Sequence, residues 1–260
     1  MLSPRQLHCL RGIGLRTWVP RGTIDTAPAG VEGDEVEPSA LINPVDLPPA
    51  GEPVAIAPTT PTVTDAPAPA PTAPLEIPAD WDGVIQAIHQ CQACELAANC
   101  TQKVPGVGDR EADLLIVGEG PGHDEDIRGE PFVGRSGQLL DRMLNAIGIE
   151  RDRVYITNIV KCRPPNNRDP RPEEANQCRA FLEAQIKLLN PKVILAVGRV
   201  SAHNLLDTQQ TVGKLIRNLH QLPGSDIPVK VTYHPAYLLR NPSAKSIAWQ
   251  DLKLLHGLLQ

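Results

Sequence analysis

Apolar and polar positions follow two different regimes along this chain, and the change falls near residue 81. From Trp81 onward, short apolar runs alternate with segments of helical spacing. Asp82–Cys94 reads as a helix that runs into a cysteine pair. Asp113–Gly118, with Leu-Leu-Ile-Val at its centre, reads as a buried strand. Ser136–Ile147 sets Leu139, Leu140, Met143, Leu144 and Ile147 on one helical face. Val154–Val160 is a second strand, and Pro172–Leu189 a long helix opened by proline and two glutamates. Val193–Gly198 is a third strand, followed by a helix from Ser201. Val229–Tyr233 is the fourth strand, and Ile247–Leu259 is a closing helix. Strand–helix alternation of this kind predicts an α/β fold: a three-layer α/β/α sandwich with a mainly parallel four-stranded sheet.

Before that change the chain offers little to bury. Fifteen of its 27 prolines lie in residues 1–80. Residues 22–80 read as a Pro/Ala-rich disordered linker, because so little apolar surface cannot offset the entropy of ordering it. Residues 1–21 carry Leu7, Leu10, Ile13, Leu15, Trp18 and Val19 among Arg5, Arg11 and Arg16. They read either as an unstructured amino terminus or as a short helical segment that docks on a protein partner. Residues 81–260 remain as one catalytic-sized domain, long enough for a single core.

Charge divides at the same boundary. Residues 1–80 hold ten acids and four arginines, a balance of −6, so the total of −5 leaves +1 for the rest. A near-neutral domain neither demands nor excludes nucleic acid, and the arrangement of its charges decides. Met1–Pro20 is too interrupted by arginine for a secretory signal, and no apolar run is long enough for a membrane span. The expectation is a cytoplasmic monomer in a reducing compartment. There, six cysteines point to metal before disulfides.

The three segments at the carboxyl ends of the strands carry the candidate chemistry. Gly118-Glu-Gly-Pro-Gly122 turns directly off the first strand; Gly118 and Gly120 let the backbone approach a ligand closely. It lacks the endings of a phosphate-binding Walker loop or a dinucleotide fingerprint. Glu119 sits at the strand's active end, whereas Asp124-Glu125-Asp126 reads as a solvated helix start. Asn158 offers one acceptor and two donors, which suits a pyrimidine edge. Beyond it, Arg163 and Arg168 lie among prolines in a stiff cationic loop fit for phosphates. His234, followed by Pro235, faces both segments if the sheet is parallel, as an electrophilic donor would. Cys91 and Cys94 form a Cys-x-x-Cys pair, and Cys162 and Cys178 lie sixteen positions apart. Four thiolates hold zinc or an iron–sulfur cluster equally well on spacing alone. Cys100 competes as a ligand of the first pair, and Cys9 reads as free.

Four motifs in this order, Gly118-Glu-Gly-Pro-Gly122, Glu130-Pro-Phe-Val-Gly134, Lys161-Cys-Arg-Pro-Pro165 and His234-Pro-Ala-Tyr-Leu-Leu-Arg240, resemble the family 4 uracil-DNA glycosylases. The resemblance spans roughly Cys91 to Gln260. It implies a DNA-repair hydrolase that flips uracil out of DNA and cleaves its N-glycosidic bond. It further implies a [4Fe–4S] cluster on Cys91, Cys94, Cys162 and Cys178. Phe132 would stack on the flipped base, Asn158 read its edge, His234 donate to uracil O2 and Glu119 help position water. The His234–Arg240 loop, with Leu238 and Arg240, would enter the duplex. Other members of the superfamily carry an aspartate where Gly120 stands, so Glu119 is the candidate for water in this motif. Two alternatives compete. A relative that captures uracil covalently would carry a basic, histidine-bearing insertion, and Leu215–His220 has no Lys-Arg-Arg run. A non-catalytic iron–sulfur DNA-binding scaffold would not need Glu119, Phe132, Asn158 and His234 together.

Overall fold

The computed structural model describes residues 77–260. The expected docking segment 1–21 and nearly all of the linker 22–80 lie outside the described residues. Ile77 packs on the first helix and Asp80 caps it, accepting the Gly83 amide at 2.8 Å, so packing begins just ahead of Trp81.

In chain order the elements are α1 (Trp81–Gln90), α2 (Leu96–Asn99), β1 (Val107–Gly108), β2 (Leu114–Gly118), α3 (His123–Arg128) and α4 (Arg135–Ala146). There follow β3 (Tyr155–Asn158), α5 (Pro172–Leu189), β4 (Val193–Val197), α6 (Arg199–Leu206) and α7 (Val212–Leu215). The chain closes with β5 (Leu219–Gln221), β6 (Pro228–Thr232), α8 (Pro235–Arg240) and α9 (Lys245–Leu258).

The sheet has six strands in the order β1-β3-β2-β4-β6-β5, not four. The four expected strands are its parallel centre; β1 and β5 are antiparallel edges on β3 and β6. Both edges escaped the pattern for a local reason. Val107-Gly108 is only two residues, and Leu219-His-Gln221 is largely exposed, with no buried alternation to read.

Central strands are buried on both faces, as their continuous apolar runs require. Leu115, Val117, Ile194 and Ala196 face one layer, where Ala175, Leu182 and Ile186 of α5 and Ala202 and Leu205 of α6 cover them. Leu114, Ile116, Val193, Leu195 and Val197 face the other, against Leu140, Met143 and Leu144 of α4, Leu238 of α8 and Leu252 and Leu255 of α9. Three layers result, with the core split by the sheet.

Among the helix boundaries that differ from the pattern, two bear on the site. The first helix stops at Gln90 rather than reaching Cys94: Cys91 is extended (φ −60°, ψ 134°), which frees the cysteine pair to form its own turn. The helix after β4 begins at Arg199, two residues earlier than Ser201, with Gly198 as its cap. Among the described residues, no helix is long and apolar enough to cross a membrane.

Candidate active site

All four parallel strands deliver their carboxyl ends to one edge. Gly118 pairs in register with Asn158, and Val197 with Thr232, whose carbonyl accepts the Gly198 amide at 2.9 Å. Above this edge lies a cavity of about 650 Å³. Glu119, Gly120, Phe132, Asn158, Arg168, His234 and Arg240 line it, so seven predicted residues, drawn from four separate segments, meet there.

Gly118 sits beneath the cavity at the crossing of two side chains. A Cβ on it would lie 2.3 Å from Asn158 Oδ1 and 2.6 Å from Phe132 Cε2. Only glycine allows that approach. Phe132 itself adopts a left-handed backbone (φ +53°) and is held by neighbours on both sides. Gly137 of α4 lets the Phe132 carbonyl come within 1.7 Å of where a Cβ would stand. Glu125 accepts amides from Gly122 (3.1 Å), Val133 (2.9 Å) and Gly134 (3.0 Å), pinning the Phe132 loop to the Gly118–Gly122 turn.

Asn158 is buried at the end of β3, and a buried lysine anchors the strand there. Lys161 Nζ donates to Thr157 Oγ1 at 2.7 Å, to the Asn158 carbonyl at 2.8 Å and to Gln185 Oε1 at 2.8 Å. Burial holds its ammonium down to about 7.

His234 caps α8, with Pro235 at the first helical position. Its Nδ1 accepts the Ala236 amide at 3.1 Å, which leaves the proton of the neutral ring on Nε2. Burial first, and the Arg240 guanidinium second, lower its pKa to about 4. The ring stacks beside Phe132, 5.6 Å between centroids. Glu119 behaves oppositely. Burial, with Asp169 adding a like charge and a hydrogen bond, raises its carboxyl to about 7 against the pull of Arg199. The cavity thus holds both a neutral donor and a carboxyl that titrates near neutrality.

Not every expected residue reaches the cavity. Arg163 is engaged nearby, donating to Asn167 Oδ1 at 2.7 Å and meeting His123 Nδ1 at 3.0 Å. Arg168 lines the cavity while gripping Glu174 with both guanidinium nitrogens, at 2.8 and 2.6 Å. Leu238 is a correction: it is fully buried in the α4–α9 layer, not presented to DNA. Helical spacing in α8 turns Leu238 inward beneath His234, and exposes Tyr237 and Leu239 instead. The acidic run 124–126 is a second correction. Glu125 binds the three amides above, and Asp126 is buried, accepting Thr101 N at 2.9 Å and Gln102 N at 3.3 Å. Asp169, Arg199 and Tyr233, which the sequence reading passed over, also line the cavity.

Five thiols approach one another beneath the Cys162 loop. Cys178 feels Cys94 and Cys91, and Cys162 feels Cys100, Cys178 and Cys94. Burial and this mutual repulsion raise Cys94 and Cys162, and raise Cys178 to about 11. Among the described residues, no three Cys, His, Asp or Glu side chains form a ready-made single-ion site.

A cavity at the carboxyl edge of a parallel sheet, lined by an aromatic ring, an amide and a neutral imidazole, is the kind of ligand site that α/β proteins build. Comparison narrows the class. The family model described as the uracil DNA glycosylase superfamily matches residues 105–253. The chain is 42% identical over 178 residues to the type-4 uracil-DNA glycosylase of Archaeoglobus fulgidus, covering 66% of this chain and 89% of that protein. It is 46% identical over 174 residues to the type-4 uracil-DNA glycosylase of Thermotoga maritima, covering 65% and 90%. A type-5 uracil-DNA glycosylase of Thermus thermophilus matches at 36% over 118 residues, 40% of this chain and 53% of that protein. This chain belongs to the uracil-DNA glycosylase superfamily, and within it to the type-4 enzymes.

Proposed function

We propose that this protein flips uracil out of DNA and hydrolyses its N-glycosidic bond, leaving an abasic site. The observation that carries the reading is the His234 ring: neutral, with its proton on Nε2, beside Phe132 in the cavity that Asn158 also lines. As the bond to the sugar breaks, negative charge gathers on uracil O2, and a preorganised neutral donor stabilises it without first giving up its own hydration. Phe132 stacks on the extruded base, worth roughly 1–3 kcal/mol. The Asn158 amide accepts from uracil N3–H and donates to O4; cytosine reverses that edge and leaves the amide unpaired. Discrimination built on such hydrogen bonds reaches about 10⁴-fold. Glu119 orients the attacking water on the opposite side.

Arg168 and Arg240 line the mouth and favour the flanking phosphates; Arg163 stiffens the adjoining loop. Cys91, Cys94, Cys162 and Cys178 would hold a [4Fe–4S] cluster, since neighbouring thiols of this kind are the donor set that a cationic iron centre would neutralise. When bound, the cluster supplies thiolate cross-links between the Cys91 segment, the Cys162 loop and α5. Residues 1–21 are proposed to dock on a repair or replication protein.

Incubation with a labelled uracil-containing oligonucleotide, followed by alkali, tests the reading. Strand cleavage at the uracil is expected, and is lost in His234→Ala and Asn158→Ala. Absence of cleavage by the folded, cluster-containing protein refutes it.

A further inference from the structure

Asp169 lies fifty residues from Glu119 in the chain, yet both carboxyls line the same cavity, where the charge of one acts on the other. Two neighbouring carboxyl groups can hydrogen-bond to each other only with a proton between them. Arg199, at the start of α6, forms an ion pair with Asp169 Oδ2 and so marks Asp169 as the charged member. Three elements therefore converge: the turn after β2, the loop ahead of α5 and the first residue of α6.

We propose that Asp169 is a positioning residue for proton uptake at Glu119: it accepts the hydrogen bond of the Glu119 carboxyl once that group has taken the proton of the attacking water, and Arg199 holds it there. The inference rests on the glycosylase reading. In that reaction water oxygen bonds to the sugar C1′ as the C1′–N1 bond breaks. The electron pair of the broken bond leaves on uracil, which departs as an anion. The water proton passes to ionised Glu119, whose O–H then points at charged Asp169. Release of the proton to solvent resets the pair.

The electrostatics agree. After burial, Asp169 is the main influence raising Glu119, and Arg199 opposes it. The other charged or titratable groups around the cavity are Glu125, Arg168, Tyr233, His234, Tyr237 and Arg240. Glu125 is committed to three amides and Arg168 to Glu174. Lys161 titrates in the same range but faces Thr157, Gln185 and the Asn158 carbonyl.

The test is single-turnover uracil release from a single-stranded uracil oligonucleotide between about pH 5 and 9, with the holoprotein. The wild-type rate is expected to rise through a midpoint of about 7. Asp169→Asn removes the like charge, and its midpoint should fall by about one pH unit. Arg199→Gln removes the opposing charge, and its midpoint should rise. Opposite displacements are not what a general structural lesion produces. Unchanged midpoints, or displacement of both in one direction, overturn the proposal. The carboxyl ¹³C resonance of Glu119, assigned with Glu119→Gln, reads the same midpoints without substrate. A chain that releases no uracil therefore refutes the glycosylase reading, while the resonance still decides the pairing.

Discussion

His234 and Glu119 make opposite contributions to stability over nearly the same range of pH, and their opposition can be measured. A histidine held at about 4 binds its proton less well folded than unfolded. Its contribution is fully present above the unfolded value of 6.5 and is lost as pH falls toward 4. Glu119 runs the other way. Its folded carboxyl, at about 7 against 4.5, holds its proton more tightly than the unfolded chain does. That contribution is full below 4.5 and is lost as pH rises through 7. Each interval spans about 2.5 pH units, which corresponds to roughly 3 kcal/mol per group.

Between about pH 5 and 6 the unfolded chain binds nearly one more proton at His234 and one fewer at Glu119, so the two slopes cancel. Replacing one group exposes the other. Urea midpoints measured from pH 4 to 8 should show His234→Gln losing stability relative to wild type as pH rises through this window. Glu119→Gln should gain stability relative to wild type over the same window. Each difference curve should change by roughly 3 kcal/mol, with opposite sign. Three parallel curves would refute the burial argument for both residues.

Other perturbations test the packing of the site. Gly118→Ala forces a Cβ into Asn158 and Phe132, an overpacking cost of about 1–3 kcal/mol, so kcat/KM for uracil release should fall roughly 10- to 100-fold; a change under twofold would count against the close approach. Leu238→Ala should lower the melting temperature through a loss of about 2–5 kcal/mol. Leu239→Ala, on the exposed side of α8, should leave melting unchanged and reduce excision from duplex more than from single strands. Cys178→Ser should abolish the visible absorbance of the purified protein and lower its melting temperature, whereas Cys9→Ser should do neither.

The central sheet was legible because β2 and β4 are buried on both faces and so appear as unbroken apolar runs. The same rule hides β1 and β5, which are short edges with no buried face to impose a pattern. Site residues fixed by a strand's end, Gly118, Glu119, Asn158 and His234, could be found by following each run to its carboxyl terminus. Glu125 could not, since an acid folded back onto three amides looks, in sequence, like one solvated at a helix start. Leu238 went astray because a motif shows which residues travel together, and helical geometry decides which of them face out. Asp169 and Arg199 acquire meaning only through each other and Glu119, contacts made across thirty and fifty positions.

One physical cause unites the two groups. Removing water disfavours whichever form of a group is charged, so the same depth neutralises an imidazole and protonates a carboxyl. In the proposed reaction the effect is not symmetrical. A neutral imidazole keeps the Nε2 proton that a developing anion needs, so burial serves His234 at every pH above about 4. A protonated carboxyl cannot accept from water, so burial alone would silence Glu119 below about 7. Arg199 stands where it can limit that penalty, lowering Glu119 directly while binding the carboxylate that raises it. A cavity deep enough to keep His234 neutral therefore needs a cation beside Glu119, and a requirement of that kind is met by a residue on the neighbouring strand's helix rather than within the motif itself.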